Sequence, residues 1–375
     1  MKFRCERDAL LEAVQFASRA ISNRATLPVL AGLRIEARES GDVVVAATDL
    51  ELTMQTAFHA GVDEPGRSIV PGRLFGEMVR SLGSGGVSLA AGDGEVEIGS
   101  GRGQFRVKTL AADDYPALPV DDAVADGERV VVDAGALGIA LSQVIRGASG
   151  DESRQILTGV LWEIEAETLT LAATDSYRLA VRTLDMTGNV EERKRVVVPA
   201  RALGELGRAL QGTSGDVVAT VKDNLVSFAI DPAGEAVGQS LIGSRFIEGE
   251  FPNYKQLIPD GYQNRLTVDR EALLDVSRRV GLLAQNNLPV KLRLDAELEI
   301  SAHTPDVGEG QEVLDAEYHG EGLVIAFNPH FLNDGASAIQ SQRLVLEAAD
   351  GLKPAILGGE GDDSFTYLLM PVRLS

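Results

Sequence analysis

Apolar residues recur at helical spacing through "DALLEAVQFASRAI" (8–21), and shorter runs such as "LRIEA" and "DVVVAATD" then read as strands. The first pattern lays one apolar stripe along a helix, and the second gives each strand a buried face. A second helix is expected at "VPGRLFGEMVRSL", because proline suits a first helical turn. After it, "GVSLAAGDGEVEIGSGRGQFRVKTL" alternates around Gly-Asp turns, a hairpin pattern. The predicted unit is α+β, with two helices on an antiparallel sheet.

The unit is written three times. "SIVPGRLFGEMVRSL" (68–82) aligns without gaps on "VVVPARALGELGRAL" (196–210), so that Val70, Pro71, Arg73, Gly76, Glu77, Arg80 and Leu82 recur as Val198, Pro199, Arg201, Gly204, Glu205, Arg208 and Leu210. A weaker third copy, "LVIAFNPHFLNDGASAI", carries Pro329. "AATDLELTM" (46–54) and "AATDSYRLAV" (172–181) share a tetrapeptide, and Thr304 falls at the corresponding place, followed by Pro305. The shared "AATD" is expected to be scaffold, a strand end whose Asp bonds turn amides. The Tyr-Arg continuation is particular to the middle copy. Domains are expected at 1–122, 123–258 and 259–375, with boundaries in "PALPVDDAVADGE" and "IPDGYQN".

Charge changes the picture. The chain carries −21, which on average repels nucleic acid. On a helical wheel, however, Arg73 and Arg80 stand opposite the stripe of Leu74, Phe75, Met78 and Leu82, with Glu77 between them, and Arg201, Glu205 and Arg208 repeat the arrangement. The six predicted helical segments (7–21, 72–82, 135–149, 200–211, 269–285 and 329–341) hold ten arginines, Arg146 among them, no lysine, and eight acids. They net about +2, so the remainder carries about −23. One surface is spared the acidity of the others and suits loose, sequence-independent contact with phosphates. Three like units joined head to tail close into a ring if the rotation per step allows. Three small domains hardly clear a duplex, whereas two chains, giving six, do.

Other chemistry is poorly supported. Four histidines (His59, His303, His319 and His330) lack metal-ligand spacing, and "GSGRG" sits in a hairpin rather than between strand and helix. Cys5 is the one cysteine, so no internal disulfide is expected. No apolar run is long enough for a membrane span, and "MKFRCERDALLEA" carries charges where a signal peptide needs apolar residues, so the chain reads as cytoplasmic. No enzymatic activity, cofactor or metal is expected. A peptide-binding scaffold that never touches DNA is the remaining rival.

"MKFRCERDALL", "SNRATLPVLAGLRIEA", "AATDSYRLAV", "FPNYKQLIP" and "YLLMPVRL" together resemble the bacterial DNA polymerase III beta subunit, the sliding-clamp family, from Met1 to Leu374. The resemblance implies a three-domain clamp fold, a head-to-tail homodimer forming a six-domain ring around duplex DNA, and a non-catalytic processivity role without cofactor. Partners would be the replicative polymerase alpha subunit, the clamp loader and other clamp-binding-motif proteins. Gln15, Arg24, Arg73, Arg80 and Arg201 would face DNA, joined by the helical Arg146 and Arg208. A peptide pocket between the second and third domains would use Leu157, Thr174, Tyr177, Arg178 and Leu179 of the middle copy, then Pro252 and Leu257. The third copy would add Leu352, Pro354, Leu368 and the tail Met370, Pro371, Val372, Arg373 and Leu374. Leu, Met and Pro with one Tyr and one Arg suit the Leu or Phe side chains of an extended peptide. The dimer seam would join Phe105 to Leu282 and Leu283, with Arg102, Arg106 and Lys108 meeting Asp306, Glu309 and Glu312. The family usually has Gly-His where this chain has Ser176-Tyr177, and often Arg at Gln256.

Overall fold

In the computed structural model, residues 1–22, 27–118, 127–190, 192–231, 238–259, 261–285 and 288–374 are described. Six α-helices occur among them: α1 (Arg7–Ser18), α2 (Gly72–Ser81), α3 (Ala134–Val144), α4 (Ala200–Ala209), α5 (Arg270–Gly281) and α6 (Pro329–Ala338). That is two per repeat, as the apolar spacing predicts, and every strand pairing described is antiparallel.

The proline signal works differently in the three copies. Pro71 and Pro199 close strands Gly66–Pro71 and Lys194–Pro199 just before α2 and α4, pairing with Gly32 and Gly159. Only Pro329 lies in a first helical turn, with the Asn328 side chain accepting from the His330 amide at 2.9 Å. In the first two copies proline therefore ends the strand, where a missing N–H costs little. At the start of α2, a Cβ on Gly72 would stand 2.2 Å from the tip of the Ile21 side chain, which would have to move aside.

The chain packs as two compact units that cut the middle repeat. The first comprises 1–138, 186–192 and 201–246. It holds a five-stranded sheet ending at Gly103–Lys108 and a nine-stranded sheet. In the larger sheet, strand Ser240–Arg245 of the middle repeat pairs with Leu52–His59 of the first. Leu10, Val14 and Ala17 of α1 and Phe75 and Val79 of α2 are buried, and Phe3 meets Phe58 edge-on at 6.3 Å. Leu74, placed on the apolar stripe by the wheel, is instead 49% exposed. It lies at the stripe's edge, where Phe75 and the next turn's Val79 already fill the contact.

The second unit comprises 139–185, 193–200 and 247–375 and is built on one twelve-stranded sheet. Its repeat seam joins Arg178–Asp185 to Asp362–Leu369, with Leu179 opposite Leu368. Trp162, Tyr367 and Phe327 are its largest buried side chains. The expected hairpin of the first repeat forms, and its turn, Asp93 (φ 50°) and Gly94 (φ 78°), has both central residues left-handed. The expected domain boundary at 122/123 falls outside the described residues.

Candidate functional site

Strands Asp42–Thr48 and Thr168–Thr174 end in the same turn, atom for atom. Asp49 accepts from the amides of Glu51 (3.1 Å) and Leu52 (2.8 Å), and Asp175 accepts from those of Tyr177 (2.9 Å) and Arg178 (3.0 Å). Thr48 donates to Leu52 O and accepts from the Leu50 amide, while Thr174 donates to Arg178 O at 2.6 Å and accepts from the Ser176 amide. Both turns force a left-handed residue, Leu50 (φ 82°) and Ser176 (φ 81°). "AATD" is scaffold in both copies. Thr304 does something else: its hydroxyl donates to Leu283 O at 2.5 Å.

Beyond the turn the two copies diverge. Arg178 is 8% exposed, and its guanidinium donates to Asp175 (3.1 Å), to Asp334 of α6 and to the Tyr367 hydroxyl (3.3 Å). It also stands 4.4 Å above the Phe331 ring, with which Tyr177 stacks at 6.3 Å. Burial lowers the Arg178 pKa, but Tyr367, Asp334 and Asp175 outweigh it and hold the guanidinium charged. Tyr367 donates its own proton to Phe331 O, and burial first of all pushes its phenol up to about 12. Its ring fits because position 335 is glycine, where a Cβ would meet the ring at 2.4 Å. Sequence reasoning misses Phe331 and Asp334. Their signal is the third helix's departure from its copies, Phe331 standing where the middle repeat has Arg201 and Asp334 where it has Gly204.

Around this network the second unit exposes apolar surface. Tyr177, Leu257, Leu352, Met370 and Leu374 are five of its large exposed hydrophobic residues. Leu179 and Leu368 are buried beneath, in one cluster with Phe251 and Tyr254, which carry the segment holding Pro252 and Leu257. Leu352 and the half-buried Pro354 lead into strand Ala355–Gly359, whose Ala355 pairs with Leu369 beside Met370. The Met370 amide donates to Tyr177 O at 2.9 Å. Leu157 is buried, and Thr174 is spent on the turn. The tail beyond Pro371 diverges: the Val372 amide donates to Ala326 O, and Val372, Arg373 and Leu374 line a separate open groove of about 830 Å³ with Leu288, Lys291 and His303.

The residues expected to face DNA are distributed over both units. In the first, Gln15, Arg73, Arg80, Arg201 and Arg208 are all exposed. Arg73 pairs with Glu77 (3.2 Å) and Arg201 with Asp49 (2.5 Å), while Arg208 pairs with the buried Glu205, which Arg19 also approaches at 3.8 Å. Arg80 has no ion-pair partner among the described residues. In the second unit Arg146 is exposed and reaches Asp334 at 3.5 Å. Arg24 lies outside the described residues.

Of the seam residues, Phe105 is 43% exposed on Gly103–Lys108, a strand paired on one side only among the described residues. Leu282 is 75% exposed beyond α5, and Leu283 is half-buried. Strand Gly308–His319 is likewise open along 308–315, since only its last residues pair with Asn264–Asp269. Arg106 and Glu312 already pair within the chain, with Glu97 and Arg279, while Arg102 and Lys108 have no ion-pair partner among the described residues.

A chain of three like two-helix domains joined through continuous antiparallel sheets has the sliding-clamp fold. The particular family emerges from direct comparison. Residues 1–119, 132–253 and 255–373 match the N-terminal, central and C-terminal domains of the DNA polymerase III beta subunit, and the chain belongs to that family. It is 35% identical over 393 residues to the beta sliding clamp of Streptomyces coelicolor, with all of both chains covered. It is likewise 35% identical over 399 residues to that of Synechocystis, again over both whole chains. Among solved structures it is similar to the Bacillus subtilis DNA polymerase sliding clamp (28% identity, TM-score 0.93) and the Thermotoga maritima beta subunit (27%, 0.90), each covered completely.

Proposed function

We propose that the chain is a DNA sliding clamp, a non-catalytic processivity factor that encircles duplex DNA as a ring of two copies and tethers a polymerase through a peptide pocket. The observation that carries this is the match of all three domains of the beta subunit, in order, along the whole chain. The domains are assigned to 1–122, 123–258 and 259–375. Gln15, Arg24, Arg73, Arg80, Arg146, Arg201 and Arg208 are assigned to the DNA face. The Arg73–Glu77 pair suits that role, because an exposed pair exchanges partners at little cost, whereas Arg201 pairs with an Asp49 carboxylate only 10% exposed. Phosphates then compete with carboxylates, and the hold stays weak enough for sliding.

The exposed Tyr177, Leu257, Leu352 and Met370 over the buried Leu179 and Leu368 support a pocket for the apolar anchors of an extended peptide. Polymerase alpha subunit and clamp loader are its expected occupants. The half-paired edges carrying Phe105 in one copy and adjoining Leu282–Leu283 in the other support a head-to-tail seam. The test is topological. Protein loaded on nicked circular DNA stays bound through gel filtration and is released when that DNA is linearised. A scaffold that never encircles DNA is not retained on the circle, and that result would refute the proposal.

A further inference from the structure

Beside the pocket, four side chains converge on one carboxylate. Glu163, on strand Gly159–Glu165, is 4% exposed and accepts from the Tyr254 hydroxyl at 2.5 Å and from Arg193 at 3.0 Å. Arg195 reaches it at 3.1 Å and Lys255 at 3.3 Å, and Arg193 also meets Glu165 at 2.5 Å. Three cations thus face two carboxylates, in a chain of net charge −21. The cations are not consumed by this pairing: Arg193, Arg195 and Lys255 keep 52%, 46% and 58% of their side chains in solvent. A guanidinium has five N–H donors in a fixed fork, so each arginine retains donors beyond those pairs.

The cluster adjoins the pocket. Tyr254 packs in one core cluster with Leu179 and Leu368, while its hydroxyl binds Glu163. Lys255 Nζ lies 5.9 Å from the Tyr254 ring, and Lys255, Gln256 and Leu257 are consecutive exposed residues. One aromatic side chain therefore separates the pocket floor from the cations. Arg195 lies on the outermost strand of the sheet, where charges also discourage unwanted pairing. That task alone does not explain why Lys255, from a different segment, is gathered onto the same buried carboxylate.

We propose that the Arg193–Arg195–Lys255 cluster receives acidic residues flanking the apolar anchor of the bound peptide, so that this pocket selects acidic-flanked partners. The inference rests on the peptide-pocket reading of the proposed function. An extended chain advances roughly 3.3 Å per residue, so acids a few positions from the anchor pass beyond the pocket floor toward the cations. The contribution is electrostatic and exposed, and it acts on partner choice more than on raw affinity.

The experiment uses the full chain and two synthetic peptides with the same Leu-Phe anchor, one flanked by Asp-Glu-Asp and the other by Ser-Gly-Ser, followed by fluorescence anisotropy. At low salt the acidic peptide is expected to bind roughly tenfold tighter, as two or three exposed ion pairs together give. The advantage should vanish at 0.5 M salt (about a 4 Å Debye length) and in Lys255→Gln/Arg195→Gln, while the neutral peptide binds both proteins alike. Equal binding of the two peptides to the unmodified chain overturns the inference, as does an advantage that survives the double substitution. Should that variant melt early, the salt titration of the unmodified chain decides alone. Failure of both peptides to bind overturns the pocket reading itself.

Discussion

Leu50 and Ser176 hold equivalent left-handed conformations that a side chain tolerates poorly, and each is fixed by a threonine hydroxyl and an aspartate. Such positions cost of order 1–3 kcal/mol and persist because the surroundings over-determine them. Leu50→Gly is expected to raise stability by about 1 kcal/mol, read as a higher melting temperature. Ser176→Gly should gain less, since it also loses the 3.0 Å bond from Arg154 to the Ser176 hydroxyl. Two residues on, Arg178 pairs with the buried Asp175 and the partly buried Asp334, and Arg178→Ala should cost about 3 kcal/mol because Asp175 loses its cation while Asp334 falls back on Arg146 at 3.5 Å. Glu163 gives a pH dependence. Burial raises its pKa, but Tyr254, Lys255 and Arg193 outweigh that and hold the carboxyl below its ordinary value. A depressed carboxyl contributes stability that is full above the unfolded pKa of about 4.3 and is lost as pH falls through the folded value. Glu163→Gln should therefore be about 1–3 kcal/mol less stable than the unmodified chain at pH 7, with the gap narrowing as pH falls below the unfolded value. A gap that stays constant with pH would show that the clasp does not titrate.

At the scale of elements, the six helices and the Asp93-Gly94 hairpin were legible because both periodicity and turn chemistry are local properties. The shared "AATD" turn was legible because it is written twice. Two things were not. Leu74 looked buried on a wheel, yet exposure at a stripe's edge is decided by what packs opposite, which a single segment does not encode. The regrouping of the middle repeat was equally hidden: its strands divide between two sheets through the pairings of Ser240–Arg245 and Arg178–Asp185 with partners far off in sequence. The Arg178 network also needed Asp334, 156 residues away, and no spacing rule reaches that far. The tail is the element most open to test. Met370 and Val372 each donate one amide to neighbouring backbone, at Tyr177 O and Ala326 O, while the sheet ends at Leu369. Deleting residues 370–375 removes exposed Met370 and Leu374 but no strand. Polymerase binding is expected to be lost while encirclement of circular DNA is kept, and retained polymerase affinity would refute the assignment of Met370 to the pocket.

At the scale of the whole molecule, the charge distribution matters more than the total. A chain of −21 should avoid DNA, and the proposed function requires that its helices present cations locally. The guanidinium groups themselves are exposed, so their replacement should weaken loading without unfolding the chain. Arg73 is the plain case, 88% exposed beside an exposed Glu77. Arg201 is less simple because it bonds Asp49, whose other oxygen holds the turn of the first repeat. Reversing Arg201 therefore adds like-charge repulsion at that turn, which neutralisation largely avoids. Arg73→Glu with Arg201→Glu is expected to reduce loading onto nicked circular DNA, and Arg73→Gln with Arg201→Gln to do so more mildly. Each lost phosphate contact should lower the salt dependence of DNA association by about one unit of log–log slope. Both variants should keep the solution mass of a dimer, twice the 39.8 kDa of one chain, because the proposed seam at Phe105, Leu282 and Leu283 uses neither arginine. Unchanged loading and slope in a dimeric double variant would mean that the helical arginines do not meet phosphate. The exposed cations would then have to be explained by their intramolecular carboxylates alone.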